Sequence, residues 1–173
     1  HQAVTFLELF FDLVWVFAIS QLSEHLLEHR TWRGAGETLV MALAMFVIWS
    51  FTAYESTMVL ARKSEARWIV LAVMAGGLVM NASITGAFED TPWAFVVPMM
   101  LIQVGRSAMT RVHDDYDSLR HHRVSMIVWA AVSAVPWVLG AAGGPGHRLY
   151  WWLAAVLIDV VGMWSGHPVP GRR

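Results

Sequence analysis

At 173 residues the chain has the length of one ordinary domain, yet 57% of it is hydrophobic, only 14% is charged and its mean hydropathy is +0.50. Such a composition excludes an ordinary soluble domain and points to a membrane. Twelve basic against thirteen acidic residues leave a formal net charge of -1, which offers nothing to nucleic acid. The absence of cysteine removes disulfides, thiolate metal sites and cysteine nucleophiles together.

A hydrocarbon core about 30 Å thick takes about 20 helical residues, and a backbone inside it must satisfy its own hydrogen bonds. Six apolar runs predict an all-α fold, a polytopic transmembrane helical bundle read as a single integral-membrane domain over residues 1–173. The first goes from Thr5 to Leu27, the second from Glu37 to Leu60 and the third from Trp68 to Phe88. The fourth goes from Trp93 to Thr110, the fifth from Val124 to Ala142, and the sixth, which is short, from Leu149 to Trp164. Charged or turn-forming stretches separate them: Glu28 to Gly36, Arg62 to Arg67, Glu89 to Pro92, Arg111 to Arg123, and Gly143 to Gly146. The first run is not a signal peptide, because it lacks a basic leader and carries Glu8 and Asp12 within its apolar part.

Short loops rich in Arg and Lys remain cytoplasmic. Arg62, Lys63, Arg67, Arg111, Arg120, Arg123, Arg172 and Arg173 fall on one side, against Arg30, Arg33 and Arg148 on the other, so both ends of the segment are expected in the cytoplasm. Trp32, Trp68, Trp93, Trp151, Trp152 and Trp164 lie near the expected span ends, where an indole keeps its ring apolar and its N–H wet.

Ionisable side chains deep in a bilayer cost on the order of 2.5 to 3.5 kcal/mol and need a partner, a proton or a water-filled cavity. Glu8 and Asp12, four residues apart, share a face of the first helix, with Trp15 and Ile19 continuing the stripe. Two neighbouring carboxylates in low dielectric cannot both ionise cheaply. Glu55 lies near the inner end of the second run, Gln103 and Arg106 share a face of the fourth, and Asp159 sits in the sixth between Ala155 and Gly162, small residues that let another helix approach. Counted along each run at about 1.5 Å per residue, Glu8, Asp12, Glu55, Arg106 and Asp159 fall in one leaflet, four carboxylates to one guanidinium. Protons, a small cation or basic groups elsewhere must balance them. The competing reading is structural: an Arg106 to carboxylate pair that ties helices together. Asn81 reads as a helix-to-helix hydrogen bond, and Pro98 and Pro136 as bends or gates.

Weaker patterns point elsewhere. His25 and His29, with Glu24 and Glu28, have the i, i+4 spacing of a metal site but read as a solvated helix end. His113 to His122, with three Asp, reads as a plain cytoplasmic loop. With no phosphate-binding Gly loop, nucleophile elbow or dinucleotide fingerprint, no catalytic residue, metal or cofactor is assigned.

The segment T-F-L-E-L-F-F-D-L-V-W-V-F-A-I-S-Q-L, Thr5 to Leu22, resembles the opening motif of the bacterial low temperature requirement protein A family of integral membrane proteins. The likeness continues through Trp49 to Tyr54, Ala87 and Phe88, I-Q-V-G-R at Ile102 to Arg106, Trp137 with Gly140, and Asp159 with Gly162. It covers nearly the whole chain but the first half of a typical member. Glu55, Ser56 and Thr57 depart from the Asn and Arg that relatives often carry, and the family's His-x-x-Glu-Arg helix and Leu-Gly-Glu segment are absent. A first residue that is His rather than Met fits the N-terminal half of a longer protein, whose remaining half would be the partner that supplies basic groups.

The reading that unites these features is a multi-pass protein of the bacterial cytoplasmic membrane, acting as a proton- or cation-coupled transporter or permease module. Its partners are the lipid bilayer and a proton or small ion; its binding residues are Glu8, Asp12, Glu55, Gln103, Arg106 and Asp159. Two alternatives stand beside it: a membrane-embedded enzyme using paired carboxylates on a lipid-linked substrate, and a non-catalytic envelope or cold-stress scaffold.

Overall fold

The computed structural model of the chain describes residues 6–59, 66–113 and 120–165. Six α-helices follow one another and no strand occurs among the described residues: α1 Phe6–Glu28, α2 Trp32–Val59, α3 Ala66–Ala82, α4 Pro92–His113, α5 Arg120–Ala142 and α6 Pro145–Ser165. Each expected run has its helix, and local chemistry moves the ends. The second helix starts at Trp32 rather than Glu37 because Thr31 caps it: its hydroxyl accepts the Gly34 N–H at 3.0 Å, and its carbonyl accepts the Ala35 N–H at 2.9 Å. α4 and α6 each open on a proline, whose fixed φ suits a first turn and whose missing N–H would have had no partner there.

The third run is corrected by the structure. Helix α3 ends at Ala82, and residues 83–90 are turns, where an unbroken helix to Phe88 was expected. The bonds there shorten to i, i+3: Ser83 and Ile84 N–H reach the Met80 and Asn81 carbonyls at 3.2 Å, and Glu89 N–H reaches Gly86 at 3.1 Å. The Ser83 hydroxyl also donates to the Met80 carbonyl at 2.7 Å, competing for an acceptor the helix would use. Hydropathy alone could not register that competition, since Ile84, Ala87 and Phe88 in the turns are buried.

By packing, the chain divides into two compact units, His1–Met99 and Met100–Arg173, with the boundary inside α4. In the first, α1 packs on α2 and α3, and α2 packs on α3. The buried line of α1 is Val14, Ala18 and His25, at spacings that keep one face. Gly77 lets α3 close on Val14, and one turn further on Asn81, fully buried, donates its amide N–H to the Val14 carbonyl at 2.7 Å. The expected helix-to-helix role of Asn81 is therefore observed. In the second unit, α5 and α6 form an antiparallel hairpin around Trp137, Trp152, Ala155 and Val156.

Both units turn large apolar side chains outward, among them Ile19, Val79, Leu101, Val104 and Leu157. A solvated monomer rarely presents so much apolar surface. The segment Trp32–Ala53, 22 residues with mean hydropathy 1.6, is the one stretch among the described residues long and apolar enough by itself to cross a bilayer. The apolar stretches Leu71–Ala82, Pro92–Gly105 and Val128–Ala142 are shorter.

Candidate functional site

Arg148, Trp152, Ala155 and Asp159 recur on α6 at steps of four, three and four residues, which places them on one face, and that face meets α5. The Trp137 indole N–H of α5 donates to Asp159 Oδ2 at 2.9 Å, so the half-buried carboxylate is anchored to the neighbouring helix. The Trp152 indole returns the contact by donating to the Trp137 carbonyl at 3.1 Å, and the two rings lie 5.4 Å apart at 50°. Arg148, 4% exposed, donates from Nε to the Gly140 carbonyl at 3.1 Å and from Nη2 to the Gly143 carbonyl at 3.4 Å. Those carbonyls close α5, where the helix itself has no donors left to offer. The Arg148 guanidinium also stands 5.9 Å from the centre of the Trp152 ring.

Glycines set the spacing of this hairpin. A Cβ on Gly140 would collide with the Trp152 ring, and one on Gly162 would press the Trp129 ring at 3.1 to 3.3 Å. The small residue expected to admit a helix beside Asp159 does so through Trp129.

Asp12 is exposed on α1, as is Ile19. Asp12 and Ile19 thus point away from the line of Val14, Ala18 and His25 that packs on α2 and α3, whereas Trp15, expected on the same stripe, is half-buried. Gln103 is buried on α4. The side chains of Glu8, Glu55 and Arg106 lie outside the described residues, as do residues 114–119 of the segment His113 to His122. Asp12 belongs to the first unit, and Gln103 and Asp159 to the second.

The end of α1 differs from its expected solvated state. His25 is 1% exposed, under Phe88 of the turns after α3, with ring centroids 6.4 Å apart. Its Nδ1 lies 3.0 Å from the Thr38 hydroxyl and its Nε2 lies 3.9 Å from Glu37, whose other oxygen accepts Arg33 Nε at 2.9 Å. His29 stacks on His25 at 4.5 Å and reaches Glu89 at 3.4 Å. The carboxylates paired with the two rings come from α2 and from the turns after α3, while of the two that the sequence offers on the same helix, Glu24 and Glu28, Glu28 also lies near enough to act on His25. No group of three or more His, Asp or Glu suited to a metal ion occurs among the described residues.

Sequence reasoning missed Arg148 and Glu37. Arg148 had been counted as a loop charge, although the Gly-rich turn just before it signals helix-end carbonyls in need of donors. Hydropathy places Glu37 at the edge of a run; its i, i+4 relation to Arg33 is the signal that puts both on one helix.

The described residues form helices alone, turn apolar side chains outward and include one helix long and apolar enough to span a bilayer, features that a helical membrane protein would have. The chain belongs to the bacterial low temperature requirement A protein (LtrA) family, whose model matches residues 3–173. Protein RA0937 of Rhizobium meliloti (strain 1021), described as uncharacterized, is 28% identical over 170 residues. That match covers 96% of this chain and 41% of the relative, so the chain spans less than half the length of the curated relative it matches. No solved structure matches it.

Proposed function

We propose that the chain is a multi-pass module of the bacterial cytoplasmic membrane, with its six helices crossing and both ends of the segment cytoplasmic, that moves protons or small cations. Glu8, Asp12, Glu55 and Asp159 supply the acidic groups, Arg106 the counter-charge and Gln103 a neutral polar contact. The observation that carries this reading is Asp159: a carboxylate about two-thirds of the way along an apolar helix, with an indole N–H on one oxygen and Ala155 and Val156 buried beside it. A charge kept at such a place marks an ion or proton path more often than it contributes stability. The outward apolar faces of both units support the membrane setting.

The Trp137 to Asp159 bond favours a second reading, in which the carboxylate only ties α5 to α6 and the chain is a scaffold. Asp159→Asn separates the two, because an amide oxygen still accepts the indole N–H but holds no charge and binds no proton. In proteoliposomes of the full-length protein, Asp159→Asn and Asp12→Asn are expected to abolish proton or cation flux while the melting temperature in detergent stays near wild type. Flux equal to wild type in both variants would remove the transport reading and leave the scaffold.

A further inference from the structure

The two histidines at the end of α1 have a hydrogen-bond logic that fixes where their protons sit. Thr38 donates its hydroxyl hydrogen to the Gly34 carbonyl at 2.8 Å, so toward His25 it offers only a lone pair, and His25 Nδ1 at 3.0 Å must be the donor. The Nε2 of His25 is therefore where a further proton binds. It faces Glu37 Oε2 at 3.9 Å, across a gap in which a bare nitrogen lone pair would oppose a carboxylate and an added proton would make an ion pair. Arg33 Nε donates to the other oxygen of Glu37 at 2.9 Å.

His29 is placed differently. Its Nδ1 lies 3.1 Å from the His25 carbonyl and its Nε2 3.4 Å from Glu89 Oε1; both neighbours accept, so both ring nitrogens must carry hydrogen for the two bonds to form. The imidazolium is the form of the ring that makes both bonds at once. In keeping with this geometry, the His25 carbonyl first, and Glu89 with it, push the His29 ring above its ordinary 6.5. The rings are stacked with centroids 4.5 Å apart and planes 24° apart, a distance at which two positive charges repel. The charged groups that face the pair are Glu28 on α1, Arg33 and Glu37 on α2, and Glu89 on the turns after α3.

We propose that the stacked imidazoles of His25 and His29, each faced by a carboxylate from another element, form a coupled proton-binding station where α1 meets α2. The half-exposed ring of His29 takes the first proton, and the second enters at the buried Nε2 of His25 against Glu37. Because the rings repel when both are charged, the pair titrates in two steps that belong to it jointly. The station is independent of Asp12 and Asp159, and it stands whether or not those carboxylates carry an ion.

The test is ring nitrogen and carbon NMR of the full-length protein in nanodiscs across pH, with His25→Gln and His29→Gln assigning the two signals. Each ring is expected to titrate about one unit higher when the other is replaced, a tenfold gain in proton affinity, and by the same amount in both directions. At high pH the His25 nitrogens should report the form with hydrogen on Nδ1. Glu89→Gln, at an exposed position, should lower the His29 midpoint. Midpoints indifferent to replacement of the neighbouring ring, or a His25 signal with hydrogen on Nε2, would overturn the proposal.

Discussion

At the level of single residues, three polar side chains find their partners on neighbouring elements. Asn81 bonds across to α1, Asp159 to α5, and Arg148 to the end of α5, each at 3.1 Å or less. His29 shows how such a contact sets a pH response. Its folded affinity for protons is raised above the ordinary 6.5, so the stability it adds is complete below 6.5 and is lost as the pH climbs through the raised value. The pair with Glu89 is largely in solvent, with side chains 31% and 62% exposed, so its worth is that of a surface ion pair, about 0.2 to 1 kcal/mol. Comparing detergent melts of wild type and His29→Gln, the deficit of the variant should be visible on the acid side of 6.5 and fade in mild alkali. A deficit that grows with pH would contradict the assignment. Asn81 and Asp159 were readable as residues because a polar group inside an apolar run needs a partner somewhere. The identity of that partner was not readable, since it depends on which helix lies alongside.

At the level of elements, helix ends were placed by side chains that hydropathy averages away: the Thr31 cap lengthened α2, and the Ser83 hydroxyl with i, i+3 bonding shortened α3. Periodicity did better. The steps from Arg148 through Trp152 and Ala155 to Asp159 define the α6 face that packs, and Gly140 and Gly162 mark where α5 and α6 approach closely. That close approach makes a sharp prediction for Gly140. In Gly140→Ala the new methyl meets the Trp152 ring and strains the Trp152 bond to the Trp137 carbonyl, costing about 1 to 3 kcal/mol as overpacked cores do. Gly105→Ala, where nothing among the described residues lies within 4 Å of the added carbon, should be neutral or gain up to about 1 kcal/mol of helix propensity. Chemical unfolding in mild detergent reads both; equal effects at the two positions would show that the α5 to α6 contact is looser than described. Only the repeated contacts of one face with another, rather than the residue types alone, distinguish the two glycines.

At the scale of the whole molecule, composition and the six apolar runs foretold an all-helical chain, and the motif at Thr5 to Leu22 foretold its family. The convergence of Glu8, Asp12, Glu55, Arg106 and Asp159 was inferred from depth along each run, and depth constrains height in the bilayer but not direction around a helix. The outward aspect of Asp12 illustrates that gap: its i, i+4 partner in sequence defines a stripe, yet the stripe that packs on α2 and α3 is the one through Val14 and Ala18. Within the chain itself, His25 and Glu37 were hidden for the same reason, since a histidine near a helix end looks solvated until a second helix and a turn close over it.

The central claim is that the helices cross the membrane in alternation, and since these 173 residues hold no cysteine it is open to direct measurement once any cysteine elsewhere in the full-length protein is replaced. Single cysteines at Thr31, Ser64, Asp90, Ser118 and Gly144 of the full-length protein, probed with a membrane-impermeant maleimide in intact cells, test every connection in turn. Labelling at positions 31, 90 and 144 in intact cells, with 64 and 118 reacting only after permeabilisation, is the predicted result. Labelling of all five from one side would contradict a multi-pass chain, and with it the account built on carboxylates within the bilayer.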